Sequence, residues 1–239
     1  MGSVSKIIKM NFINLFNGQI IICCAVLLLH LLISMAVIRL VHAEGVEITA
    51  GNNDVVVMVW LLIMGLVMFI PSLKYMLSQG VSRKNFFWAM NLNIVLLSAI
   101  FALLSTIFYA ISLKVANVWM IYEAMYRNQS IAGLLVWEFA VLIFLGMLGW
   151  FIRLVYYVSG RKTRFGVSIA PFVIVPLLIL FNVLSDGKIL DAMGNFLKTI
   201  MGLSSVTPNP YIGMVSMLLI AVILSGPIFL LLRRTEIKD

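Results

Sequence analysis

Residues 131–158 read IAGLLVWEFAVLIFLGMLGWFIRLVYYV, 28 positions in which Glu138 and Arg153 are the only charged side chains. A helix rises 1.5 Å per residue, so this run is longer than the roughly 20 apolar residues needed to cross a hydrocarbon core of about 30 Å. The period-2 alternation of a barrel strand is absent, and helices satisfy their own backbone hydrogen bonds in lipid. The segment therefore reads as a transmembrane helix, and the rest of the chain repeats the pattern.

Working outward, six apolar runs appear: Ile20–Val41, Val55–Met76, Leu92–Leu113, Ile131–Val158, Gly166–Leu184 and Tyr211–Leu232. The composition of the 239 residues agrees, with 63% hydrophobic and 11% charged positions. A soluble domain carries about a quarter charged residues. The fold expected is an all-α polytopic membrane protein, a single transmembrane domain over 1–239 with six transmembrane helices. Lys6 and Lys9 precede the first run as in a secretory signal, but its apolar core exceeds the 7–15 residues of a signal h-region, so it reads as a retained span. Cys23 and Cys24 are adjacent within that run, point about 100° apart on a helix and have no further thiol or imidazole beside them, so they read as packing residues.

The formal charge of +8 does not point to nucleic acid, because Lys and Arg do not gather on a soluble face. They sort by side instead. With the amino terminus cytoplasmic, Lys6, Lys9, Lys74, Arg83, Lys84, Arg153, Arg161, Lys162, Arg164, Arg233, Arg234 and Lys238 lie inside with Glu236 and Asp239, a net +10. Arg39, Lys114, Arg127, Lys188 and Lys198 lie outside with six acids, Glu44, Glu47, Asp54, Glu123, Asp186 and Asp191, a net −1. The positive-inside rule then places both termini in the cytoplasm.

Three segments are not simple spans. Residues 4–17 carry apolar positions at Ile8, Phe12, Leu15 and Phe16 with Lys6 and Lys9 beside them, the spacing of an interfacial helix. In the link after the second run, Gly80 breaks the helix, Ser82 caps a new one, and Phe86, Phe87 and Trp88 are placed at the membrane interface, which predicts a short separate cytoplasmic helix. Between Ser185 and Pro210, Ile189, Leu190, Met193, Phe196, Leu197, Ile200 and Met201 recur at helical spacing against Asp191, Asn195 and Lys198. One or two amphipathic helices are expected there, dipping into the outer leaflet and returning through Pro208-Asn209-Pro210.

No catalytic pattern emerges. There is no G-x-x-x-x-G-K-[ST] phosphate loop, so the chain is not expected to hydrolyse ATP itself, and no H-E-x-x-H or G-x-S-x-G. The two histidines, His30 and His42, have no adjacent acid, and no metal site is expected. Glu138, about 10 Å inside the fourth run, and His30, mid-span in the first, are the polar residues placed on a possible transport path, with Arg39 as a possible ion-pair partner for Glu138. Pro171 and Pro176 are expected to kink the fifth run, and Gly166 with Ala170 offers a small-xxx-small surface for a dimer contact.

The interfacial amino-terminal helix, six spans, the LSQGVSRKNFF link at 77–87, the outer helical hairpin and the LLRRTEIK end at 231–238 together resemble an ABC-2 type (type V) ABC transporter permease. The resemblance covers essentially the whole chain and extends to permeases of Gram-positive peptide exporters, including those for phenol-soluble modulins or self-protection against antimicrobial peptides. It implies that the link at Gly80, Ser82, Arg83, Lys84, Phe86 and Phe87 is a coupling helix docking on a separate ATPase subunit, which binds the ATP and Mg. It also implies a second permease, identical or paralogous, and a hairpin that helps close the external gate. Two other readings of the same residues are a proton-coupled secondary transporter using Glu138 and His30, and a non-transporting toxin-immunity protein.

Overall fold

The computed structural model describes residues 21, 22, 24–26, 28, 29, 32, 33, 36, 53–113, 120–127, 130–185, 187–204 and 207–235. Among them there is no strand, and the positions between 21 and 36 are helical. The remainder forms α1 (Asn53–Ser78), α2 (Arg83–Ser112), α3 (Ile121–Tyr126), α4 (Ile131–Val158), α5 (Arg161–Leu184), α6 (Lys188–Ile200) and α7 (Pro210–Arg233). Five of these, α1, α2, α4, α5 and α7, are long and apolar enough to cross a membrane. This is the build of a polytopic membrane protein. The interfacial segment 4–17, His30 and Arg39 lie outside the described residues.

The central element is α4, against which α1, α2 and α7 all pack; α1 also meets α2, and α2 meets α7. Its sequence explains why. Gly146 and Gly149 remove side chains one turn apart, and Gly65 does the same on α1. A Cβ on Gly65 would collide with the carbonyl oxygen of Gly146, and one on Gly149 with that of Leu62. The two backbones therefore touch, as small residues allow in lipid, where van der Waals packing rather than hydrophobic expulsion joins helices. Below this contact Phe69, Leu73, Trp150, Leu154, Ile228 and Leu232 are buried together; above it, Val57, Leu61, Phe101 and Leu142.

The helix order gives the bundle two chemically distinct ends. One carries Lys74, Arg83, Lys84, Arg153, Lys162, Arg164, Arg233 and Arg234, with no acid among the described residues there; we call it the basic end. The other, the tyrosine end, carries Asp54, Glu123, Asp191, Tyr122 and Tyr126. In contrast to the four packed helices, α5 has no buried described side chain, and Phe172 is 80% exposed. It runs helical through Pro171 and Pro176 and turns into α6, where Asn182 Oδ1 accepts from the Leu190 N–H at 2.9 Å. A single amphipathic helix, α6, thus forms between the last two long helices; Leu190, Met193, Phe196 and Leu197 are exposed on it.

Candidate functional site

At the basic end, α1 stops at Gly80, whose φ of +75° is costly for any residue with a Cβ. The Val81 N–H returns to the Met76 carbonyl and the Gly80 N–H to that of Leu77, each at 3.0 Å, while Val81 and Met76 are both buried. This is a Schellman ending with its hydrophobic contact. Ser82 then caps α2, its Oγ accepting from the Asn85 N–H at 3.3 Å.

Two sequence expectations are corrected here. No separate short helix forms: α2 runs without interruption from Arg83 to Ser112, so the capped turn is the start of a long helix. Phe86 and Phe87 do not sit at an interface but are buried, and only Trp88 is exposed. The physical reason is an aromatic cluster. The Phe87 ring lies 5.8 Å from Trp150 and 5.1 Å from Phe229, and Phe69 lies 6.0 Å from Phe86 and 5.8 Å from Trp150. Aromatic pairs at these separations add to the area they bury. The rings thereby fix the turn 79–82 to α1, α4 and α7.

Arg83 donates from Nη1 to the carbonyl oxygen of Arg233 at 2.7 Å, a carbonyl left without an intrahelical partner at the end of α7. Lys84, Arg233 and Arg234 are exposed beside it. Two segments 150 residues apart thus form one cationic surface.

At the tyrosine end, Asp54 is fully buried. Its Oδ1 accepts from the Val55 N–H at 2.7 Å and its Oδ2 from the Ile121 N–H at 3.0 Å, so one carboxylate joins the starts of α1 and α3. Charge sorting along the sequence places Asp54 among external acids; in the structure it is buried beside α3, a short helix that hydropathy does not mark. Tyr109 donates to Glu123 Oε1. Tyr122, Tyr126 and Trp137 stack with centroids 5.4–6.1 Å apart, and Tyr126 donates to the Met201 carbonyl at 2.8 Å. The Tyr122–Tyr126 spacing of four on one helix face was the available sequence signal for this cap.

Burial pushes the Tyr126 hydroxyl above its ordinary value, an effect that the Trp137 indole opposes. A phenol whose folded pKa is raised contributes stability that is complete below about pH 10 and declines as the pH rises through the folded value. Tyr126→Phe should cost about 1 kcal/mol at neutral pH, because the Met201 carbonyl loses its donor. Thermal melts should show the wild type losing more stability than this variant as the pH is raised above about 10. Equal losses in both proteins would assign the alkaline transition to other groups.

Beneath this cap lies Glu138, fully buried on α4. Neither of its carboxyl oxygens has a hydrogen-bond partner of normal geometry among the described residues. The Ser105 hydroxyl of α2 faces it, and Asp54 is near enough to interact through charge. Gly166 and Ala170 lie on α5, outside the packed core; a Cβ on Gly166 would meet nothing within 4 Å. Cys24 carries a free thiol.

No protein-family model matches the chain, and neither a curated protein nor a solved structure matches it.

Proposed function

We propose that the chain is the transmembrane permease subunit of an ATP-driven exporter of the ABC-2 type, moving amphipathic peptides or other membrane-partitioned toxic compounds out of the cell. The observation that carries the reading is the Arg83–Arg233 hydrogen bond. It gathers the capped turn and the end of α7 into one cationic surface, which suits docking of a partner, and the buried aromatic cluster gives that surface a rigid route into the bundle. The missing phosphate loop fits a chain whose ATP and Mg are bound by a separate ATPase.

In this reading the first apolar run is a sixth span, the basic end is cytoplasmic, both termini are inside, and the protein resides in the plasma membrane. The site residues are Gly80, Ser82, Arg83 and Lys84 at the docking surface, with Phe86 and Phe87 behind them transmitting its movement. The exposed α5, with Gly166 and Ala170, meets a second permease, and α6 lies in the outer leaflet. ATP binding performs work on such a bundle only through differential affinity for its two states.

Arg83→Ala/Lys84→Ala should reduce co-purification of an ATPase encoded beside this chain at least tenfold while leaving the melting temperature of the permease nearly unchanged. Full ATPase association and full nucleotide-dependent flux in the double variant would refute the docking assignment.

A further inference from the structure

Hydroxyl side chains within helices usually return their proton to a carbonyl of the preceding turn. This chain follows that habit at Thr106 to Ala102 (2.7 Å), Ser112 to Phe108 (2.8 Å), Ser216 to Ile212 (2.9 Å) and Ser225 to Val222 (2.6 Å). Ser98 and Ser105 break it. Both are completely buried on α2, and neither hydroxyl has a partner among the described residues. They are seven residues apart, two turns on one face of the helix, or about 10 Å along its axis. Ser105 faces Glu138 closely enough to act on its carboxyl, although neither group makes a hydrogen bond of normal geometry, and no other described residue pairs with either.

An unsatisfied polar group inside a membrane bundle is expensive, and here three occur together along one seam. The other groups around Glu138 do not resolve it. Asp54 of α1 is a further acid, engaged at the starts of α1 and α3. Tyr109 of α2 is paired with Glu123 of α3. Tyr122 and Tyr126 of α3 belong to the aromatic cap, and α7 carries no acid or base between Ile212 and Leu232. Asp54 is thus a second acid near Glu138, and on α2 the next buried hydroxyl toward the basic end is Ser98.

We propose that Glu138 is a proton-exchanging site, with Ser105 as its hydrogen-bond partner and the Ser98 hydroxyl as the next step of a route toward the basic end. On release the carboxyl O–H bond breaks, the carboxylate stays, and the proton passes along hydroxyls and intervening water to the aqueous phase. Uptake reverses the same steps. The stacked rings of Tyr122, Tyr126 and Trp137 cover the tyrosine end, and the proposed route runs the other way, past Ser98. The inference concerns this chain alone and does not rest on the exporter reading.

Infrared spectroscopy of the full chain in lipid nanodiscs tests it. The wild type should show a carboxylic C=O stretching band that responds to pH, is absent in Glu138→Gln, and shifts to higher frequency in Ser105→Ala as its hydrogen bond is lost. Transfer to deuterated buffer should shift the same band, at least tenfold more slowly in Ser98→Ala, with the wild-type rate restored in Ser98→Thr. A band that neither titrates nor exchanges would overturn the proposal, as would exchange indifferent to Ser98. Equal slowing in Ser98→Ala and Ser98→Thr would do the same, since it would reflect packing rather than the hydroxyl. None of these readouts involves an ATPase, so their failure is distinct from failure of the docking experiment.

Discussion

Gly149→Leu is expected to destroy the packed bundle. The α1 and α4 backbones are in contact at Gly65, Gly146 and Gly149, and the atoms that a Cβ on Gly149 would strike belong to the α1 main chain at Leu62 and Leu66. A flexible side chain could move aside, but these atoms cannot move unless the helices part. Overpacking ordinarily costs about 1–3 kcal/mol, and separating two main chains lies at or above the top of that range. For a chain of this size, about 3 kcal/mol lowers the melting temperature by roughly 6–12 °C. Gly149→Ala should fall between wild type and Gly149→Leu, because the clash outweighs the roughly 1 kcal/mol that alanine gains over glycine in a helix. Gly166→Leu, melted as the isolated chain in detergent, is the control, since within one chain its position on α5 is open. It should melt within about 0.5 kcal/mol of wild type. Equal melting temperatures for the Gly149 and Gly166 leucine variants would refute the backbone contact.

That contrast shows how legibility varied along the chain. Both small-residue pairs are present in the sequence and spacing singles out Gly166 and Ala170, whereas the close backbone contact within the chain is made at Gly146 and Gly149. Spacing records which residues share a face but not which face meets a neighbour. The apolar runs themselves were readable because lipid demands length and hydropathy, and α4 begins and ends at the expected residues, Ile131 and Val158. The start of α2 was not. Hydropathy rejects Arg83, Lys84 and Asn85 and starts the run at Leu92, whereas the Ser82 cap and the burial of Phe86 and Phe87 start the helix at Arg83. At the candidate site, Glu138 announced itself as a lone acid in an apolar run. Its company, Ser105 and Asp54, came from other helices and from the burial of Asp54 under α3, tertiary facts that one sequence leaves unstated. The expected partner Arg39 and the companion His30 lie outside the described residues.

Trp150→Ala should be the most damaging substitution at the basic end. The Trp150 side chain is fully buried, with its ring 5.8 Å from both Phe69 and Phe87, so it joins α1 to α2 through α4. Truncation leaves a cavity that a helix pair already in backbone contact cannot close, and such changes cost about 3–5 kcal/mol. One term opposes this: the indole Nε1 is buried without a partner, so removing it relieves a desolvation penalty of about 1–3 kcal/mol. Trp150→Phe keeps a ring and discards the unpaired donor, and is expected within about 1 kcal/mol of wild type, against a net loss of about 2–3 kcal/mol for alanine. Thermal melts in one detergent decide between them. If the phenylalanine variant were as unstable as the alanine variant, the indole nitrogen would have to be satisfied in the native protein. The same pair of variants bears on function. Phe87 follows Arg83 and Lys84 by one turn and rests on Trp150, so under the proposed exporter reading alanine at 150 should leave the proposed docking surface intact while loosening what lies behind it. ATPase association should persist and nucleotide-dependent flux should fall, whereas the Arg83→Ala/Lys84→Ala protein loses association itself. Loss of association in Trp150→Ala under conditions where its helices remain folded would mean that the cationic surface depends on the aromatic cluster for its shape, and that docking and transmission are a single element.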